Sequence, residues 1–403
     1  MHHYWGSPGG GQLVCASAAY SLDRAGLKPV LAGTFSFDPS SYIRWYGIDI
    51  SQYKRYTFSI GPRALGLLSR AYAWMPARKA IKETGARLLF TDEGTYRPIR
   101  ENFRDLKIIE YVHFPIEASI NSKYRELGFY YKDDPYIYGR YGSFPLNVYW
   151  YIYRKTLSRY LRKNPFDSCE RVLTNSRWTA DVIKRVYNEE PEVVNPPLPP
   201  LMQMSSDIVP FEQREKIVVM LGRFSQEKRY DWVVSELGSR LKKEGVRLII
   251  FGGAVTATQK SYMNRVRSEA VKVGLNVSDS PDNGDVALVP NASREAINRT
   301  MDRAKVFLHA TINEHWGIAV AEAMARGLPV VVHKSGGAWS DLAGNGENGF
   351  GYDNAEGAVK AVLELINDNK AFNVYSRKSL KRVSELTLEN FSGSIANILK
   401  KIS

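Results

Sequence analysis

At 403 residues the chain exceeds what one hydrophobic core usually supports, so two domains are expected. With 44% hydrophobic and 24% charged residues it is neither disordered nor fibrous, and no apolar run reaches the roughly 18 residues that span a bilayer. The net charge of +13 asks for an anionic partner, while Cys15 and Cys169, far apart and in no metal-ligand spacing, exclude a disulfide scaffold and suit a reduced, cytoplasmic setting.

The chain opens "MHHYWGSPGGGQLVCASAAYSLDRAG", with Gly9, Gly10 and Gly11 placed ahead of a helix. Bare amides at a helix N-terminus approach a phosphate or sugar closely because no Cβ intervenes. The Lys-Ser/Thr ending of a P-loop is missing, and G-x-G-x-x-G is not completed. Strands are predicted at 29–33, 87–91, 107–112 and 171–176, short β-branched runs separated by amphipathic stretches. The third runs into "YVHFP", placing His113 at a strand end, where an imidazole suits a sugar hydroxyl or a leaving group. Residues 129–166 are dense in tyrosine and basic side chains, and from Pro145 onward a helix is predicted. That composition suits an anionic membrane surface or a lipid diphosphate as well as an ordinary core helix with a basic outer face.

A proline-rich stretch, 195–213, reads as a linker. Beyond it, strands are predicted at 216–222, 246–253, 286–290, 305–310 and 329–333, near-continuous apolar runs as in sheets covered on both faces. The alternation predicts two doubly wound parallel α/β domains facing a cleft, with ligands beyond the carboxyl ends of the strands. The expected division is 1–198, with a first strand short or missing, then 199–375, then a basic C-terminal helix within 376–403 packing back toward the first domain.

Two cations in "MLGRFSQEKRY", Arg223 and Lys228, follow a strand that exits through Gly222. They are well placed for a diphosphate leaving group. No Asp-x-Asp occurs in the chain, which favours phosphate stabilisation without a metal. In "NEHWGIAVAEAMARGLPVVV" a helix is predicted from near Trp316 to Gly327, with Glu314 at its mouth and Glu322 facing out from its middle. Eight helical residues span about 12 Å, of the order of the distance from a hexose to a ribose across a diphosphate. The amides of Gly317, Ile318 and Ala319 would hold the diphosphate at the positive end of the helix. Singly, Glu314 reads as a cap and Glu322 as a solvated or paired side chain.

In their joint order, "PGGGQ", "TNSRWTADVI", "GRFSQEK" and "EHWGIAVAE" resemble family 4 of the glycosyltransferases, retaining enzymes of the GT-B fold. The last segment matches that family's E-x7-E motif with Trp316 where phenylalanine is usual. "YVHFP", "EHWGI" and "HKSGGAWSD" are most similar to its dolichol-pathway α-1,2-mannosyltransferase type. The resemblance implies that Glu314 contacts the donor sugar and Glu322 the ribose. It implies too that Arg223 and Lys228 hold the diphosphate, and that His113 lies beside the transferred sugar. Gly10 and Gly11 would border the phosphates, and Gly253, with Phe251, would lie near the base. Family members begin with a strand before the glycine loop, and here only "MHHYWGSP" precedes it.

The expected function is transfer of a hexose, mannose favoured, from a nucleotide-diphosphate sugar to a glycan or polyprenyl-linked glycan. GDP-mannose is the favoured donor, a UDP-sugar is the other option, and no cofactor or metal is expected. Membrane contact would be peripheral, through 129–166 at the cytoplasmic face. The competing classes are a non-catalytic sugar-nucleotide-binding protein, an epimerase or a hydrolase on the same fold. Nucleic-acid binding draws only on net charge, since no recognition motif is present.

Overall fold

The computed structural model describes residues 1–58, 66–94, 97–127, 132, 135–156, 164–202, 204 and 208–402. The chain divides into two compact units, Met1–Met202 with Leu386–Ser403, and Gln203–Glu385. The boundaries thus fall a few residues beyond 198 and about ten beyond 375. The basic helix expected as one piece at the C-terminus is two, Asn369–Val383 and Leu388–Ile402. The break has a local cause: the Thr387 hydroxyl accepts the Asn390 N–H and restarts the helix.

Every strand predicted from an apolar run is present. Unit 1 contains a parallel pair, β1 (Val30–Thr34) and β2 (Lys54–Phe58). A second parallel sheet runs β3 (Leu88–Thr91), β4 (Lys107–Val112), β5 (Arg171–Thr174) and β6 (Glu192–Val193). Its core gathers Ile81, Leu89, Ile99, Leu106, Ile108 and Trp150. The helix Leu388–Ile402 belongs to this unit, where Ser392 Oγ lies 2.8 Å from Ser21 Oγ on the helix Gly10–Arg24.

The opening residues are not a free tail. His2 N–H donates to Ala32 O of β1 at 3.1 Å, and Thr34 N–H donates to His3 O at 3.0 Å. The Met1 amino group donates to Phe90 O of β3 at 2.6 Å. Residues 1–3 therefore touch the strands on either side, although they are too short to register as a strand.

Unit 2 is one seven-stranded parallel sheet in the order β13-β12-β11-β7-β8-β10-β9. In chain order the strands are β7 (Ile217–Leu221), β8 (Arg247–Gly252), β9 (Val277–Ser278), β10 (Val286–Pro290), β11 (Val306–His309), β12 (Val330–His333) and β13 (Phe350–Tyr352). The central strands are buried along most of their length, as their unbroken apolar sequences require. Strand order reverses between β7 and β11. At such a switch point the two connections leave to opposite faces and open a crevice beyond the strand ends.

Candidate functional site

At the switch point of unit 2, the chain leaving β7 meets the chain leaving β11. Lys228 Nζ donates to Glu314 Oε2 at 2.7 Å. His309, the last residue of β11, places Nε2 3.0 Å from the same oxygen. Burial alone would push the Glu314 carboxyl up, but the Lys228 ammonium and the His309 contact outweigh it and hold the group well below the usual carboxylate range. Burial lowers the His309 imidazole against the pull of Glu314, and a neutral ring facing a carboxylate oxygen donates to it through Nε2.

Glycines bring these loops together. A Cβ at Gly222 would lie 2.9 Å from the Tyr230 hydroxyl and 3.2 Å from Lys228 Cε, so the lysine stem passes directly over this residue. Space for the lysine stem is what requires glycine there. A Cβ on Gly252 would lie 2.6 Å from Gly222 O, and Phe224 N–H bonds to Gly253 O at 3.0 Å. A Cβ on Gly253 would lie 3.9 Å from Arg223 Cγ, while the guanidinium is exposed and 3.4 Å from Glu227.

The Glu314 backbone is fixed from the other side. Gly337 N–H donates to Glu314 O at 2.7 Å, and Asn313 N–H donates to Ser335 Oγ at 2.7 Å. Gly336 has φ of 77°, and a Cβ there would lie 2.3 Å from Glu314 O. The "SGG" after β12 is thus a brace for the acid.

The helix after Glu314 spans Ile318–Ala325, two residues later than expected, because Gly317 at its N-cap is left-handed at φ 100°. Its first N–H groups, including those of Ile318 and Ala319, have no carbonyl within the helix to receive them. The Trp316 ring is buried and belongs to the packing rather than to an open donor surface. Glu322 also departs from expectation: its side chain is buried, not turned outward. Arg294, 28 positions earlier, holds both of its oxygens at 2.9 and 3.2 Å. Burial raises the Glu322 carboxyl against the pull of Arg294.

In unit 1, His113 follows β4, and its Nε2 is 3.1 Å from Asp92 Oδ2. Asp92 also receives His2 Nδ1, 2.8 Å from each carboxylate oxygen. Burial would raise Asp92, but the two imidazoles hold it well below its ordinary value. Gly10 and Gly11 lie inside the helix Gly10–Arg24 rather than ahead of it. A Cβ on Gly11 would lie 3.0 Å from Asp92 Oδ2 and 3.3 Å from His113 Nε2, so this glycine makes room for the acid-imidazole group. Two side-chain sets here, His2 with His3 and Glu93, and His2 with Cys15 and Asp92, are spaced to hold a metal, with ligand atoms within 4.8 Å. Asp92 and His309 carry no motif that marks them in the sequence. Each is a polar residue closing an apolar strand, the only signal they offer.

Within 129–166, residues 129–131, 133–134 and 157–163 lie outside the described residues. The described part includes the helix Leu146–Thr156, which buries Trp150 and Tyr153. Val148, Tyr151 and Ile152 are exposed on another face, with Phe144 81% exposed just before it. No described helix is long and apolar enough to cross a membrane.

Residues 204–382 match the family model described as Glycosyl transferases group 1. The chain is 21% identical over 376 residues to the GDP-Man:Man(3)GlcNAc(2)-PP-Dol alpha-1,2-mannosyltransferase of Dictyostelium discoideum, covering 88% of this chain and 70% of that protein. The protein of the same name from Yarrowia lipolytica is 29% identical over 206 residues, 48% of this chain and 31% of its own length. For Xenopus laevis the identity is 23%, over 55% of this chain and 45% of the relative. The chain therefore spans less than half the length of these last two relatives. Among solved structures, Anabaena HepE in complex with UDP-glucose aligns with a TM-score of 0.67 at 15% identity, over 99% of this chain and 98% of its own. Sucrose-phosphate synthase from Thermosynechococcus elongatus aligns with a TM-score of 0.68 at 16% identity, over 100% and 94%. The architecture is α/β GT-B, with two Rossmann-like domains.

Proposed function

We propose, from the glycosyltransferase domain of residues 204–382, that the chain moves mannose from GDP-mannose to a polyprenyl-linked glycan with retention of configuration and without a metal. The observation that carries this reading is the Lys228–Glu314–His309 cluster at the switch point, beside the open amides of the helix Ile318–Ala325.

A diphosphate seated on those amides gains the field of the helix end and the charge of Lys228 and Arg223. Lys228 would leave Glu314 for the leaving phosphate, and Glu314, with Oε2 still held by His309, would offer its other oxygen to the sugar hydroxyls. Glu322 with Arg294 would receive the ribose. The acceptor hydroxyl attacks from the face that the diphosphate leaves, and a departing phosphate oxygen takes its proton. Protein groups then supply positioning and charge, not an enzymic base. His113, braced by Asp92, would orient a sugar hydroxyl. The exposed face of the helix Leu146–Thr156, with its aromatic and basic side chains, would rest on the cytoplasmic surface of an anionic membrane that presents the acceptor.

The test is product formation from GDP-mannose or UDP-glucose with a polyprenyl-diphosphate glycan, with and without EDTA, and assignment of the new anomeric centre by NMR. An α-mannoside formed in EDTA supports the proposal. Donor breakdown that ignores the acceptor would identify a hydrolase instead.

A further inference from the structure

Unit 1 gathers buried titratable side chains that the transfer chemistry does not use. β3 is followed at once by Asp92 and Glu93, whose side chains are 2% and 6% exposed. The segment that bonds to β1 through His2 N–H and His3 O brings two imidazoles against them. His2 meets Asp92, and His3 Nδ1 is bonded to Glu93 Oε1. The two ring centroids are 4.7 Å apart, and His2, His3 and Glu93 each offer a ligand atom within 4.8 Å of the others.

We propose that His2, His3 and Glu93 form a binding site for a divalent transition metal of the zinc class, with His2 ligating through Nε2 and Asp92 orienting the His2 ring from behind.

The two nitrogens of His2 meet different fates. Nδ1 lies 2.8 Å from both oxygens of Asp92, an ionised group that can only accept, so Nδ1 carries the hydrogen. In the neutral ring Nε2 is then a bare lone pair. It is buried, on a residue 2% exposed, and has no hydrogen-bond partner among the described residues. A metal ion is the Lewis acid that such a lone pair lacks, and a carboxylate on the opposite nitrogen is how metal-binding imidazoles are held in one tautomer. The Trp5 ring, edge-on to His2 at 5.5 Å, fixes its plane.

The other two ligands are in the protonation states that a metal requires. Burial lowers the His3 imidazole against the pull of Glu93. Burial would raise the Glu93 carboxyl, but His3 and Arg70 bring it to about 2. A neutral imidazole and a carboxylate result. Two imidazoles and one carboxylate suit zinc and its neighbours, whereas calcium and magnesium call for oxygen alone. The charges of Glu93 and Asp92 together balance a divalent ion, which removes the cost of burying it. Arg70 Nε is 3.9 Å from Glu93 Oε2 on a half-exposed side chain, free to turn toward solvent when the ion enters.

The neighbouring set of His2, Cys15 and Asp92 is the weaker candidate. It would claim Nδ1, leave Nε2 buried and unpartnered, and require a proton from a thiol that burial pushes well up. An ion on His2, His3 and Glu93 would staple the segment beside β1 to the loop after β3 and steady Asp92 under His113.

The full chain, stripped with EDTA and freed of chelator, is titrated with Zn²⁺ and with Co²⁺ as a spectroscopic probe. A single ion per chain is expected, with visible Co²⁺ absorption from nitrogen and oxygen ligands and no thiolate charge-transfer band. Affinity should fall about 10- to 100-fold in Asp92→Asn and further in Glu93→Gln, while Cys15→Ser binds as the parent does. Circular dichroism shows whether each variant is folded. Failure of the parent chain to bind micromolar Zn²⁺ would overturn the proposal. So would a thiolate band in the parent Co²⁺ spectrum, which needs no variant to fold, or undiminished affinity in a folded Glu93→Gln. These readouts measure bound metal, so they stand apart from whether the chain transfers a sugar.

Discussion

Lys228 and Glu314 stand 86 positions apart in sequence, yet Nζ and Oε2 are 2.7 Å apart. The cation read as the diphosphate ligand is therefore already engaged by the acid read as the sugar ligand. Because the ammonium is spent on Glu314 in the free protein, much of its interaction with phosphate is offset in the ground state. It is gained fully only as charge builds on the leaving group. Lys228→Ala should lower kcat by about 100-fold or more, with less than roughly tenfold change in affinity for a nucleoside diphosphate. Steady-state kinetics beside calorimetric titration checks this. Equal losses in both would assign Lys228 to binding alone.

Acid should weaken the protein in two stages. His309 and His333 are lowered by burial, so the folded imidazoles resist protons that the unfolded ones accept below their ordinary value of 6.5. Their stabilising share is complete above that value and is lost as pH falls beneath it. Glu314 and Asp92 are held well below 4.5 and 3.8, and Glu93 is lowered to about 2. These contribute fully above their ordinary values and fade as pH falls through the folded ones. Glu322, raised by burial, has the opposite sign and loses stability as pH climbs past 4.5. Thermal unfolding followed against pH should show Tm falling from just below 6.5 and more steeply below 4.5. In His309→Gln, which keeps a donor for Glu314 and cannot titrate, the first stage should be shallower.

Gly336→Ala tests the brace. With φ at 77° and Glu314 O at 2.3 Å from the added carbon, both backbone and neighbour oppose the methyl group. A loss of roughly 2 kcal/mol or more is expected in urea unfolding, with weaker donor binding as the 313–317 loop moves. Wild-type donor affinity in a folded G336A would detach the brace from the site.

The exposed apolar face of the helix Leu146–Thr156 carries the membrane prediction. Tyr151→Ser with Ile152→Ser should leave Tm unchanged, because both side chains are more than half exposed. Co-sedimentation with anionic vesicles should fall roughly ten- to hundredfold. Binding that persists in the double variant would place the contact elsewhere.

The parts of this protein that sequence displays are those whose cause is local. "VALVP" and "KIIEYV" are apolar because neighbours cover both faces, and they are strands where predicted. β2 is an edge strand on which only Tyr56 is buried, so "KRYTF" shows no pattern. β6 and β9 contain two residues each, too few for a period. Lys228 and Glu314 were readable as a pair of strand-end residues, but their direct contact was not, since it needs β7 and β11 to be neighbours. The burial of Glu322 was hidden for the same reason: its partner Arg294 sits on another helix. His309 and Asp92 do not stand out in sequence, because single polar residues at strand ends are common.

Unit 1 is assembled from two stretches far apart in sequence, 1–202 and 386–403, and this orders events during synthesis. Residues 1–202 leave the ribosome long before 386–402, so the helix Gly10–Arg24 must wait for the last helix to arrive and cover it. Unit 2, drawn from one continuous stretch, can settle while that surface is still bare. Loss of the helix Leu388–Ile402 by proteolysis would therefore injure a unit whose larger part is translated well before it.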